Sequence, residues 1–305
     1  MTRQVRGLGI RGIMAPSDTA RTDAEPGRNL TFSVVTPSWN QARFIGDAIA
    51  SVRGQRHVAC EHVVVDGESS DGTDMILRRA GGDVRFLIEP DDGQSDALNK
   101  GLQLARGEIL GWLNADDFYL PGTLQAVEAC FLVNPDADVV YGDCVFVDES
   151  GCVLRGLEQH GFDARVLLYY GTYIPSTASF FRSRLASEGL LRFDTTLHQV
   201  MDLELFLRLA TAGVRFHYLA RDLAAFRWHG HNKSLDRESA RTETLRVQSQ
   251  YGAITQNPVA LDVLGRVFAL KHLWMKVISG ASRRQFGWSQ RRGLCLKWWP
   301  ENADE

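Results

Sequence analysis

An α/β fold, with a mixed, mostly parallel sheet flanked by helices and a helical C-terminal extension, is what this sequence predicts. Three observations carry that expectation. Strand-like and helix-like stretches alternate four times over about eighty residues from Leu30, the pattern of βαβ units around a parallel sheet. From Asp236 onward only helical periodicity remains. The 305 residues, 44% hydrophobic and 23% charged, also carry apolar surface for one large domain with an appendage.

The elements follow in order. "LTFSVVTPSWN" opens with a β-branched, apolar run over 31–36, and Pro37 is expected to end its ladder. "QARFIGDAIASVRGQ" places Phe44, Ile45, Ala48, Ile49 and Val52 at helical spacing. "EHVVVDG" reads as a strand, and "DGTDMILRRAGG" as a helix stopped by Gly81 and Gly82. "VRFLIEP", "QSDALNKGLQLARG" and "EILGWLN" supply a third strand, a third helix and a fourth strand, and Pro121 opens another helix. Two short strands then surround a turn at 149–151, "STASFFRSRL" runs from strand into helix, and "MDLELFLRLATAG" is an amphipathic helix ended by Gly213. "VRFHYLA" is a further strand and "RWHGHNKS" a polar loop. The organisation expected is a disordered leader over 1–29, a catalytic domain over 30–235 and a helical, basic extension over 236–305.

Right-handed crossovers bring the C-termini of parallel strands to one edge of the sheet, where ligands bind in such folds. Thr36 and Ser38, Asp66, Glu89 and Asp91, and Asn114, Asp116 and Asp117 cap the four strands and are therefore expected to converge. Asp116 and Asp117 are adjacent like charges. Solvation or capping of the next helix accounts for them as well as a divalent cation does, Mg²⁺ or Mn²⁺ with oxygen ligands. "VVVDGESSDGT" fails the calcium-loop pattern, since Asp71 stands where a glycine is needed, and its acids cap the next helix or meet a nucleobase or ribose. No G-x-G-x-x-G or P-loop motif follows any strand, which argues against a dinucleotide dehydrogenase or a P-loop ATPase.

A formal net charge of −3 leaves no global nucleic-acid footprint. The five cysteines are odd in number and lack C-x-x-C spacing, against a zinc ribbon or a disulfide framework and for a reducing compartment. There is no signal-peptide h-region and no apolar run near the ~18 residues of a membrane span. A cytoplasmic protein, at most at the inner face of the membrane, is expected.

"SVVTPSWNQARFIGDAIASV", "VVVDGESSDGT", "EPDDGQSDALNKGLQLARGEILGWLNADDFYLPGTL" and "MDLELFLRLA" followed by "FRWHGHNKS" together resemble a family 2 glycosyltransferase, over about residues 30–235. The resemblance implies a GT-A fold and inverting transfer from a nucleotide diphosphate sugar, with Mn²⁺ or Mg²⁺. It sets Thr36 and Pro37 where the first strand meets the nucleotide and Asp66 at the base or ribose. Asp91 falls in the stretch that closes over the nucleotide, with Asn99 and Lys100. Asp116 and Asp117 match acids that handle ribose and metal, with the metal expected on Asp117 and Asp116 beside it. His229 matches a histidine near the metal or diphosphate, and Asp202 the catalytic base. Asn114 replaces the first acid of D-x-D-D and is expected at the nucleotide edge. "VDGES" stands for "VDDGS", removing a carboxylate, and Met201 stands for the usual Glu. Capping of its helix is the other reading of Asp202. Arg227 and Lys233 are read as neutralising phosphate or as solvated.

From Val263 to Pro300 there is no acid but eight basic residues and four tryptophans. Asp262, Arg266, His272 and Lys276 mark a polar stripe on an otherwise apolar helix. Two readings stand: a helix packed on the domain with a solvated basic face, or peripheral contact with an anionic membrane, which suits a glycan or lipid-linked acceptor in envelope synthesis. Two other function classes stay open, a nucleotidyltransferase on a similar sheet and a non-catalytic sugar-nucleotide-binding or scaffold protein.

Overall fold

β1 (Thr31–Ser38) is buried along nearly its whole length and takes the centre of a parallel run, with β2 (Ala59–Asp66) on one side and β4 (Ile109–Trp112) on the other. The computed structural model describes residues 29–296 apart from His57, His231, Ser234, Leu235 and Gln256. The expected leader lies outside the described residues except for Asn29, and so do Lys297, Trp298 and Trp299. Pro37 does not end β1: it pairs with Val65, and Ser38 with Asp66. The reason is local. Val35 bonds towards β4, accepting from the Leu113 N–H, and Pro37 two residues on faces the same side after β4 has ended. The amide hydrogen that proline lacks has no partner to lose there.

β3 (Val84–Ile88) extends the parallel run beyond β2. Beyond β4 the sheet turns mixed: β8 (Ser179–Arg182) is antiparallel to both β4 and β6 (Val139–Val147), and β9 (Phe216–Arg227) runs parallel to β6. β5 (Phe118–Tyr119) pairs with β9, and β7 (Val153–Leu157) with β6. The strand order is β3-β2-β1-β4-β8-β6-β9-β5. β9 continues to Arg227, so that residue belongs to a strand and not to the expected loop.

Both faces of this sheet are covered. Val34, Ile109, Val140 and Phe180 point into one core, and their neighbours Val35, Leu110, Val139 and Phe181 into the other, the alternation of strands buried on both sides. α1 (Ile45–Arg53) and α4 (Thr123–Val133) cover the first face. α3 (Gln94–Leu104), α5 (Ala164–Tyr170) and α7 (Met201–Thr211) cover the second, while α2 (Thr73–Arg79) backs a smaller cluster beside β3. α6 (Arg184–Ser187) follows β8, and α8 (Arg237–Gln250) packs on α7.

α9 (Pro258–Ile278) lies on α5, and α10 (Ala281–Ser289) on β7. Here two expectations are corrected. Only half of the polar stripe on α9 is a solvated face: Asp262 and Arg266 are exposed, whereas His272 and Lys276 are buried, bonded or close to His160, Glu158 and Asp143. Cys152 and Cys295 form a disulfide across a separation of 143 residues. Chain spacing does not reveal that pair, because a β-bridge from the segment after α10 to the turn before β7 makes it.

Candidate active site

A cleft of about 920 Å³ opens beyond the C-terminal ends of the parallel strands, the edge that right-handed crossovers single out. Pro37 and Ser38 end β1 and Trp39 follows it, Gly67 follows β2, Asp91 and Gly93 lie in the loop after β3, and Asn114, Ala115 and Asp116 in the loop after β4. Gln94 at the start of α3, Met201 and Asp202 at the start of α7, Phe226 near the end of β9, and Asn232 and Lys233 after it close the far side.

Asp66 is fully buried and satisfied internally. Its Oδ2 accepts from the Ser38 and Ser69 hydroxyls at 2.9 and 2.7 Å, and its Oδ1 from the Ser69 N–H at 2.8 Å. It therefore shapes the cleft wall through Ser38 and the loop after β2. Asp91 takes the Gly93 N–H on Oδ1 at 2.8 Å, and burial raises its pKa. Its carboxylate lies against Gly67, where a Cβ would sit 2.5 Å from Oδ2. The position that lost an acid in "VDGES" is thus filled by the acid of the neighbouring strand.

The two adjacent acids face opposite ways. Asp116 lines the cleft, and its Oδ2 lies 2.9 Å from His229 Nε2. Asp117 is fully buried: its Oδ1 accepts from the Arg227 N–H at 2.9 Å and its Oδ2 from Asn114 Nδ2 at 3.0 Å. Burial, with the Asp116 charge, pushes its pKa well up. Asn114 Oδ1 accepts in turn from Trp112 Nε1 at 2.8 Å and Gln94 Nε2 at 2.9 Å. The cation expected on Asp117 would meet protein donors there, whereas Asp116 and His229 together offer an oxygen and a nitrogen. No cluster of three His, Cys, Asp or Glu side chains that could hold a metal occurs among the described residues. A pair fits Mn²⁺ or Mg²⁺, which take few protein ligands and complete their shells with phosphate oxygens and water.

Asp202 sits in the first turn of α7, with Oδ1 on the Leu203 N–H at 2.8 Å. Burial pushes its pKa up to about 6, against the opposing pull of that N–H and of the nearby Thr172 hydroxyl. A carboxyl poised there can accept a proton near neutrality. The Lys233 charge opposes part of the rise at Asp202, and burial lowers the pKa of Lys233 itself.

Among the expected ligands, Pro37, Asp91, Asn114, Asp116 and Asp202 line this cleft. Thr36 does not: it is buried, 2.8 Å from His62 Nε2. Asn99 and Lys100 also face elsewhere. Asn99 brackets the backbone of Phe193 at 2.8 and 2.9 Å beside a second cavity, and Lys100 pairs with Glu89 and Asp96 at 3.0 and 3.1 Å. They stand about 140° and about 120° round the helix from Gln94, so Gln94 and Ala97 enter the cleft in their place. Arg227 is a buried clamp and no phosphate ligand. Its guanidinium reaches Asp47 Oδ2 at 2.7 Å and the carbonyls of Asp116 and Glu149 at 2.9 and 2.6 Å, over Phe44 and Phe118. In the sequence it is only the first residue of the polar loop expected at "RWHGHNKS".

Comparison with known proteins gives the following. The family model for glycosyl transferase family 2 matches residues 33–186. An uncharacterized glycosyltransferase of Nostoc sp. is 26% identical over 250 residues, 78% of this chain and 77% of that protein. The chain spans 21% of a longer uncharacterized glycosyltransferase of Rickettsia conorii, at 30% identity over 126 residues. Staphylococcus aureus TarS 1–349 in complex with UDP-GlcNAc superposes with a TM-score of 0.62 at 18% identity, covering 79% of this chain and 72% of TarS 1–349. A Pyrobaculum calidifontis mannosyltransferase in complex with GDP-Man and Mn²⁺ gives 0.57 at 18% identity, covering 88% and 83%. The fold of this chain is the GT-A fold.

Proposed function

The chain belongs to glycosyl transferase family 2, and from that premise we propose that it moves a sugar from a nucleotide diphosphate sugar to an acceptor hydroxyl with inversion. The observation that carries this reading is one cleft lined by Asp116, with the buried His229 2.9 Å from its carboxylate, and by Asp202, a carboxyl of raised pKa at the start of α7. The nucleotide lies along Pro37, Ser38, Trp39 and Asp91, shaped from behind by Asp66 and Thr36. Asn114 and Gln94 hold the floor, and Asp117 and Arg227 position Asp116.

Mn²⁺ or Mg²⁺ on Asp116 and His229 would neutralise the charge that builds on the departing diphosphate. Asp202 takes the acceptor proton as its oxygen attacks the anomeric carbon from the face opposite that diphosphate, a contribution of roughly 10²–10⁴-fold. Complexes of the structural relatives with UDP-GlcNAc and GDP-Man support a nucleotide diphosphate sugar as donor. The acceptor proposed is a glycan or a lipid-linked sugar of the cell envelope, met at the inner face of the membrane.

The test is binding of nucleoside diphosphates and their sugars with and without Mn²⁺, followed by turnover of the donor that binds. Asp202→Asn should bind that donor like the parent and lose turnover. Absence of binding by every nucleotide in either condition would defeat the proposal, and near-full turnover in Asp202→Asn would reduce Asp202 to a helix cap.

A further inference from the structure

α9 is apolar nearly all round, yet only one side of it is covered. Leu261, His272 and Lys276 are buried against the domain. On the opposite side Val259, Val263, Leu270, Trp274 and Val277 are each more than half exposed. These side chains fall within an arc of about 60°, with Val267, Leu273 and Ile278 widening it to about 140°. A helix with this composition is ordinarily buried on every side.

We propose that this outward face of α9 docks in the plane of an anionic lipid surface. Charge selects that partner. From Val263 to Leu296 there is no acidic residue, while Arg266 stands exposed on the face itself and Arg291 and Arg292 are exposed beyond α10. The acid at the edge, Asp262, is already paired with Arg241 at 3.0 Å. Basic residues with a tryptophan on an apolar face suit the headgroup region of anionic lipid. A second copy related by two-fold symmetry would instead set like charges against each other. No described helix is long and apolar enough to cross a membrane, so α9 lies on the surface, along about 30 Å.

The placement bears on acceptor delivery and rests on the envelope-acceptor reading above. Tyr170 and Tyr173 lie against His272 of α9 with ring centres at 4.6 and 5.5 Å, and Thr172 between them lies close enough to Asp202 to lower its pKa. One short segment therefore joins the docking helix to the residue that receives the acceptor proton. A docked protein holds the acceptor end of its cleft next to the lipid headgroups.

Sedimentation of the full chain with phosphatidylcholine vesicles, with and without phosphatidylglycerol, tests this. Binding is expected only with the anionic lipid and is expected to weaken as salt rises. The double variant Leu270→Glu/Trp274→Glu should lose at least about tenfold in vesicle affinity and keep the parent's melting temperature and nucleotide binding. The proposal is overturned if the parent ignores anionic vesicles at low salt, or if the variant binds them like the parent. It is equally overturned if light scattering shows a parent dimer that the variant converts to monomer without any vesicle binding. Failure of the glycosyltransferase reading would show separately, as absent nucleotide binding.

Discussion

Arg227→Lys separates two roles for one arginine. In the structure the guanidinium, 3% exposed, spans three acceptors in different directions, Asp47 Oδ2 and the carbonyls of Asp116 and Glu149. A lysine ammonium on a single stem reaches one of them and loses the planar contact with Phe44 and Phe118. Two charge-assisted bonds are then missing, at about 1.5–3 kcal/mol each. That gives a loss of about 3–6 kcal/mol and a fall of roughly 10 °C in melting temperature for a domain of this size. Because the carbonyl released belongs to Asp116, Mn²⁺ affinity should fall along with stability. The assay is a thermal melt of parent and variant with and without Mn²⁺, alongside donor KM. A variant that melts with the parent and shows only a raised KM would return Arg227 to the phosphates and refute the clamp.

Four further outcomes follow from the same geometry. Asp202 must be ionised to accept a proton and burial sets its pKa at about 6; kcat should hold above that pH and fall about tenfold per unit below it, and Asp202→Glu should move the limb. Asp116→Asn and His229→Ala should each weaken Mn²⁺ binding by about 10- to 100-fold, measured by Mn²⁺ titration in the presence of the nucleotide. Gly67→Ala should displace the Asp91 carboxylate, since the new Cβ would stand 2.5 Å from its oxygen, and nucleotide affinity measured by calorimetry should fall while the fold survives. Glu158, buried beside Asp143 and Asp222, has its pKa pushed from 4.5 to about 7. The folded state holds that proton longer than the unfolded one, so stability should decline as pH rises from about 4.5 to about 7, and Glu158→Gln should flatten that stretch of the melting profile.

The parallel half of the fold was legible because each of its signals is local. Apolar runs such as "VVVDG" make strands buried on both sides, helical spacing such as Phe44 to Val52 makes the covers, and crossover handedness then collects the strand ends. That logic found the edge where Pro37, Asp91, Asn114, Asp116 and Asp202 meet. It could not say which way a side chain points once there. Asp116 and Asp117 are indistinguishable as letters, yet one turns to the cleft and the other is held inward by Asn114 and the Arg227 N–H. Asn99 and Lys100 lie in the right helix on the wrong faces, and Thr36 in the right strand with its hydroxyl spent on His62. The departures from the family pattern become intelligible only in three dimensions. Asn114, the missing acid, is the donor that a buried Asp117 requires, and Gly67 leaves the space that Asp91 fills. The extension misled for a related reason. A polar stripe on an apolar helix ordinarily faces water, but Glu158 and Asp143 beneath α9 are acids that Lys276 can approach only by turning inward. His272 and Lys276 therefore turn inward towards His160, Glu158 and Asp143, while Asp262 and Arg266 stay outward with the apolar side, the face proposed above to meet lipid.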